Sequence, residues 1–240
     1  MIRLKKVADL QKSINALSAF ISEGNLRFNE KGISFKAVDP SQVVLVDFNL
    51  PKKAFEQFKI DPSLVGVDLT ELNKILQRCM PNDFMEMDLT DSELLVSLKG
   101  DAERQFRLPL LDINSEEPSL PQKSFDADLS INARVLKEAL KDASLFGSSA
   151  VLKASKGLLV IESKSPSGQF KSTIKESGNA KIKAGNEVTS KYSLSFFTSL
   201  IKETAPEQEI SLQLKTDSPM KIEYSLGEAS LKFYLAHMIL

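Results

Sequence analysis

The sequence repeats itself once, at a constant offset. Leu69, Leu72, Ile75, Leu76 and Pro81 recur as Leu194, Phe197, Leu200, Ile201 and Pro206, each pair 125 positions apart. Met85, Met87 and Leu89 fall on Ile210, Leu212 and Leu214, Phe106 and Leu108 on Leu231 and Phe233, and Lys31-Gly32-Ile33 on Lys156-Gly157-Leu158. A period of this length is far longer than those of solenoids and propellers, so each copy must be a complete small domain with its own core.

At 240 residues, 42% apolar and 26% charged, the chain has material for two such cores. The longest apolar runs span only a few residues, and Met1–Ala8 has no charged-then-apolar leader, which leads us to expect a cytosolic protein, or a nuclear one in a cell with a nucleus. Cys79 is the only cysteine, which excludes an intramolecular disulfide and any metal site built on several thiolates. The formal net charge is −1, from 31 basic and 32 acidic side chains. Nucleic-acid binders are ordinarily basic, so any contact with DNA must be a local patch on an acidic body.

Each copy alternates strand-like stretches with two short helices. Leu10, Ile14, Leu17 and Ile21 recur at spacings of three and four and predict a helix over Ala8–Ile21 with one buried face. From Asn25 to Leu50 the pattern is that of strands, punctuated at Gly32 and Asp39-Pro40. Thr70 is the expected N-cap of a second helix, Glu71–Cys79, with Cys79 on its apolar face and Pro81 closing it. The second copy predicts helices over Ala133–Leu145 and Leu194–Lys202. Asp112–Lys123 is rich in Pro, Ser and Glu and reads as an extended surface connector. The expected organisation is a first domain 1–111, a connecting loop 112–125 and a second domain 126–240. The class is α+β, with helices on one face of antiparallel sheets.

Chemistry is nearly absent from the motifs. His237 is the only histidine, with no adjacent cysteine or carboxylate to complete a triad or metal cluster. No GxSxG, Walker A, GxGxxG or HExxH pattern occurs, and 10 glycines leave little for phosphate-cradling loops. Glu116-Glu117 sit in the connector as a solvated pair. The sequence reads as a binding protein, not an enzyme, with neither metal nor cofactor. What remains is charge on the polar helix faces: Lys12 on the first, Lys74 and Arg78 on the second, Arg134, Lys137 and Lys141 on the third, Lys202 on the fourth. Lysines on exposed helix faces are ordinary, and Asp9, Glu71, Glu138, Asp142 and Glu203 share these helices.

Three segments carry a resemblance. Gly32-Ile33-Ser34-Phe35-Lys36-Ala37-Val38-Asp39-Pro40-Ser41-Gln42-Val43, Val67-Asp68-Leu69-Thr70-Glu71-Leu72-Asn73-Lys74-Ile75-Leu76 and Leu231-Lys232-Phe233-Tyr234-Leu235-Ala236 resemble the DNA sliding clamps of archaea and eukaryotes, the proliferating cell nuclear antigen family. The resemblance spans the chain and implies a ring of three subunits. Six similar domains would then surround a duplex, with helices lining the hole and sheets forming the wall. It places Lys12, Lys74, Lys141 and Lys202 at basic lining positions, with Arg78, Arg134 and Lys137 on the same faces. Gln11, Ser18 and Gln77 stand where the eukaryotic clamp has lysines.

The resemblance also implies a pocket for partner peptides carrying a glutamine and aromatic anchors, at Val38, Val43, Leu45, Leu120, Pro121, Pro219, Tyr234 and Ala236. Val43 and Leu45 fit a core reading equally well, whereas Leu120 is an isolated apolar residue in a polar connector. Where clamps commonly continue with Pro, a basic residue and acids, this chain ends His237-Met238-Ile239-Leu240. Subunits would pair through Glu103–Leu110 (Arg104, Phe106, Arg107, Leu108) and Gln169–Lys175 (Phe170, Lys171, Ile174), two basic-looking strands for which Asp101, Glu103 and Glu176 are candidate compensating charges. Implied partners are double-stranded DNA without sequence preference, a clamp loader, further copies of the chain, and polymerase, flap nuclease and DNA ligase through peptide motifs; no membrane is implied. Two alternatives stay open: a subunit of a heterotrimeric or checkpoint-type clamp, and a protein–protein adaptor that never encircles DNA.

Overall fold

The computed structural model describes residues 1–114, 116–121 and 124–239. They divide into two compact units, the first of residues 1–40, 45–118 and 225–231, the second of 41–44, 119–224 and 232 onward. The main change of unit falls at Pro118–Ser119, inside the segment read as connector.

The first repeat runs β1 (Ile2–Leu4), α1 (Val7–Ser18), β2 (Glu23–Asn29), β3 (Gly32–Val38), β4 (Val44–Pro51), a 3₁₀ turn, β5 (Phe55–Phe58), β6 (Ser63–Asp68), α2 (Leu69–Leu76), β7 (Phe84–Leu89), β8 (Glu93–Lys99) and β9 (Glu103–Pro109). The second runs β10 (Ala127–Asn132), α3 (Ala133–Ala143), β11 (Ser149–Ser155), β12 (Leu158–Ser165), β13 (Gly168–Lys175), β14 (Ala180–Ala184), β15 (Val188–Ser193), α4 (Leu194–Leu200), β16 (Glu209–Leu214), β17 (Met220–Leu226) and β18 (Ala229–Leu235). Strand order repeats as faithfully as sequence. The runs β5-β1-β7-β8-β9 and β4-β3-β2-β6 in the first repeat correspond to β14-β10-β16-β17-β18 and β13-β12-β11-β15 in the second. All pairings of defined register are antiparallel.

The alternating strand patterns aim one face inward. In β4, Val46, Phe48 and Leu50 are fully buried, and so are Leu129 and Ile131 of β10. The helices cover the sheets with the faces their spacing predicts: Leu10, Ile14 and Leu17 in α1, Leu136 and Leu140 in α3, Phe197 and Leu200 in α4. Gly32 and Gly157, equivalent in the repeat, both take positive φ in the turns β2–β3 and β11–β12, and at Gly32 a Cβ would collide with the Leu50 carbonyl oxygen.

Helix ends differ from expectation for local reasons. Asp68, two residues earlier than expected, caps α2: its carboxylate accepts from the Glu71 N–H at 2.8 Å, so the N-cap is not Thr70. Both α2 and α4 then tighten. Arg78 N–H donates to the Ile75 carbonyl (2.9 Å) and Lys202 N–H to that of Ser199 (3.3 Å), three-residue bonds that close each helix into a turn. Arg78, Cys79 and Lys202 therefore lie just beyond their helices, and Cys79 is half-buried instead of sitting on an apolar helix face. Burial pushes its thiol pKa up.

Candidate functional site

The helices pack in pairs within each unit, α1 on α2 and α3 on α4. In both pairs a side chain of the first helix clips the end of the second. Gln11 Nε2 donates to the Leu76 carbonyl at 2.9 Å; Lys137 Nζ donates to the carbonyls of Lys202 (2.8 Å) and Thr204 (2.6 Å). The Leu76 carbonyl is an open acceptor of the α2 C-terminus, and those of Lys202 and Thr204 lie in the turn just past α4, where a cation also meets the negative end of the helix dipole. Burial lowers the pKa of Lys137. Of the seven basic residues expected on this face, Lys12, Lys74, Arg78, Arg134, Lys141 and Lys202 are exposed, and Lys137 is committed to the backbone. Lys74 pairs with Glu71 at 2.6 Å and Arg134 with Glu207 at 3.7 Å, both fully solvated pairs of the kind that bind weakly and exchange readily.

The pocket positions fall in both units. In the first, Val38 and Leu45 are direct partners across the β3–β4 ladder, Val38 being 38% exposed and Leu45 half-buried. Strand alternation thus puts Leu45 on the face opposite Val46 and Phe48, outside the core. In the second unit the Ala236 N–H donates to the Val43 carbonyl at 2.8 Å, Leu120 and Pro219 are half-buried, and Pro121 and Tyr234 line a cavity of about 940 Å³. Asp128, Lys183 and Lys221 also line it, so its wall is more polar than apolar. The ending takes up strand contacts of its own: Met238 N–H donates to the Lys191 carbonyl (2.8 Å) and Lys191 Nζ reaches the Ile239 carbonyl (3.3 Å), a bridge to β15. Leu240 lies outside the described residues.

The connector is anchored rather than free. Leu111 bridges to Gly66, where any Cβ would strike the Leu111 carbonyl and the Ile113 side chain. Glu117 pairs with Arg27 at 2.6 Å and Lys36 at 3.6 Å, and the Arg27 hydrogen bond holds its carboxyl below the usual range. Both Glu116 and Glu117 are exposed, as expected of a solvated pair, and Glu117 is ion-paired as well. Its partners come from strands about 80–90 residues back in sequence, which composition cannot reveal.

Each predicted subunit strand ends a sheet. Among the described residues β9 pairs only with β8, and β13 only with β12. Phe106 and Phe170 are half-buried, and Leu108 and Ile174 are buried. Three of the basic residues on these strands are neutralised, but by other acids than Asp101, Glu103 and Glu176: Arg104 pairs with Asp83, Arg107 with Glu93 (3.3 Å) and Lys171 with Glu162 (3.4 Å), while Lys175 at the end of β13 has no ion-pair partner among the described residues. Arg104 also donates to the Arg78 carbonyl at 2.9 Å, tying β9 to the turn after α2. Sequence reading missed the apolar side chains beside these edges. Met80 is 55% exposed beyond the turn that Arg104 of β9 holds, Phe84 is 40% exposed at the start of β7, and Leu145 is 72% exposed after α3, whose neighbour Phe146 packs against Gly168 at the start of β13. Among the described residues no group of three His, Cys, Asp or Glu is placed to hold a metal, and no helix is long and apolar enough to cross a membrane.

Comparison with known families decides what this arrangement is. Residues 1–117 match the N-terminal domain of proliferating cell nuclear antigen and residues 119–239 its C-terminal domain. The chain belongs to this sliding-clamp family. It is 32% identical to the DNA polymerase sliding clamp of Thermococcus gammatolerans over 237 residues, 97% of this chain and 94% of that one. It is 33% identical to that of Methanococcus maripaludis over 239 residues, 96% of each. The crystal structure of proliferating cell nuclear antigen from Thermococcus kodakaraensis matches 99% of both chains with a TM-score of 0.94 at 24% identity. That from Entamoeba histolytica matches with a TM-score of 0.91 at 25% identity, over 99% of this chain and 98% of the other.

Proposed function

We propose that this sliding clamp works as one subunit of a closed trimeric ring that encircles duplex DNA and tethers polymerase, flap nuclease and ligase by their peptide motifs, after opening by a clamp loader. The observation that carries the reading is the pair of unlike open edges, β9 in one unit and β13 in the other. Two different edges on one chain make a head-to-tail contact, and head-to-tail contacts close into rings when the rotation permits. Pairing also removes the exposed ladder groups that otherwise invite aggregation. With Arg104, Arg107 and Lys171 already neutralised within their own units, identical chains meet without strong repulsion.

A ring explains how a protein of net charge −1 acts on DNA. Topology supplies retention, so the helix faces need only a few mobile contacts to phosphate and none to base edges. Lys12, Lys74, Arg78, Arg134, Lys141 and Lys202 suit that role, while Lys137 fastens the helix pair that presents them. The role is binding, not catalysis. For the partner peptide, the candidate contacts are Val38 and Leu45 in the first unit and, in the second, Leu120, Pro121, Pro219 and Tyr234 with Val43 and Ala236.

The test is retention by topology. Loaded onto circular DNA, the protein should stay bound through a salt wash and leave once the circle is cut. Equal loss from cut and uncut circles would favour the adaptor reading. If the chain alone has the solution mass of a monomer at micromolar concentration, a mixed ring replaces the homotrimer.

A further inference from the structure

A cavity of about 700 Å³ in the first unit occupies the same place in the repeat as the roughly 940 Å³ cavity that Pro121 and Tyr234 line in the second. Phe58, Lys59, Ile60 and Asp88 line the one, and the residues 125 positions later, Lys183, Ala184, Gly185 and Gln213, line the other. The fold has thus built the same hollow twice, and the two copies have diverged in chemistry. Where the second has Gly185 the first has Ile60, and Pro62, Val65 and Leu89 line it besides, whereas the second draws its apolar side chains from Pro121, Phe125, Ile182 and Tyr234. In charge, the second balances Asp126, Asp128 and Glu176 against Lys156, Lys183 and Lys221. The first sets Glu30, Asp61, Asp88 and Asp91 against Lys52 and Lys59. Asp88 is taken up by the terminal amine at 2.8 Å; Glu30, Asp61 and Asp91 form no ion pair among the described residues. Ser63, on the same wall, has a buried hydroxyl without a hydrogen-bond partner among the described residues.

We propose that this first-unit groove is a second docking site, taking an extended basic segment of a partner protein in which lysine or arginine alternates with leucine- or phenylalanine-sized side chains. The alternation follows from the lining. Apolar anchors fit between Phe58, Ile60 and Leu89, and flanking cations reach Asp61, Asp91 and Glu30. The choice of a peptide as occupant rests on reading the second-unit cavity as a partner-peptide site; the charge and apolar character of the groove do not.

The test titrates a fluorescein-labelled peptide, acetyl-Lys-Leu-Lys-Phe-Lys-Leu-Lys-amide, into the full chain and follows anisotropy, with a serine-for-Leu/Phe version as control. Saturable binding is expected, weakened at least tenfold by Asp61→Lys with Asp91→Lys. Both positions are exposed, so thermal unfolding should not move. Ile60→Ser should weaken the apolar peptide and leave the serine control unchanged. Equal affinity for both peptides would reduce the effect to general charge attraction and overturn the proposal, as would indifference to the double reversal. A glutamine- and aromatic-bearing clamp peptide, titrated separately, tests the second-unit site. Its failure alone would remove that reading without touching the basic-peptide result.

Discussion

Lys12 and Lys137 stand at the same position of the repeat, yet one is exposed and the other is bound to two carbonyls. The difference lies in which neighbour reaches the end of the second helix first: in the first unit Gln11 does so, leaving Lys12 unneeded. Spacing put both lysines on a polar face correctly but could not show that one of them is a clip, because the acceptors are the backbone of another helix. Lys137→Met should cost the second unit about 1–2 kcal/mol, two hydrogen bonds from a charged donor less what water regains, while Lys12→Met leaves denaturant unfolding unchanged. Glu86 makes a pH-dependent contribution in the first unit. Nearly buried, it accepts from Lys99 at 2.6 Å and from Arg3, and these bonds, Lys99 first, hold its pKa below the ordinary value. A carboxyl depressed in the folded state adds stability above its unfolded pKa of about 4.3, and that contribution is lost as pH falls through the lower folded value. Glu86→Gln should therefore lower the melting temperature at pH 7 and shrink the gap to wild type at pH 3, as read by thermal unfolding across that range. Among the pocket residues, Leu45 was legible only as core or pocket, and alternation along β4 decides for the outer face. Leu120→Ala should weaken a clamp-interacting peptide by about 1–2 kcal/mol with little change in unfolding, as calorimetric titration would show.

Helices and strands were legible wherever their period ran uninterrupted. Both repeats follow the predicted succession, and α1 and α3 begin within a residue of expectation. Their ends were not, because a cap depends on which side chain meets a free N–H and not on hydropathy: Asp68 captured the Glu71 amide before Thr70 could act as cap. The edges are an opposite case. Alternation identified β9 and β13, but their charge balance was hidden, since Asp83, Glu93 and Glu162 neutralise Arg104, Arg107 and Lys171 through neighbouring strands and turns distant in sequence. For an edge strand, proline is a selective reagent: it removes one donor from the outer ladder and is tolerated where no inner partner is lost. Phe106→Pro or Lys171→Pro should release monomers whose circular dichroism keeps the native strand and helix content, measured beside the solution mass. A variant that stays trimeric would mean that subunits meet elsewhere.

At the scale of the whole chain the duplication was the most legible feature of all. β6 and β15, and β7 and β16, match residue for residue at the offset of 125. What the repeat conceals is exchange, since 41–44 belong with the second unit and 225–231 with the first. A reading that cuts the chain at one point cannot assign those segments, and several residues proposed for the peptide site lie close to them in sequence. The basic face is less exposed to this difficulty, because its residues come from helices and turns interior to each unit. Lys12, Lys74, Lys141 and Lys202 are exposed, and only Lys74 has an ion-pair partner among the described residues, so replacing all four by Ala should leave folding and ring mass intact. If they meet phosphate, each lost contact should flatten the log–log dependence of DNA binding on salt by about 0.9. Retention on closed circles at low salt should persist, since topology and not charge holds the ring there, while loading slows as electrostatic steering fades. Parent and variant with the same salt slope would show that these lysines do not face the duplex. Loss of retention together with loss of slope would show instead that charge, and not closure, does the holding.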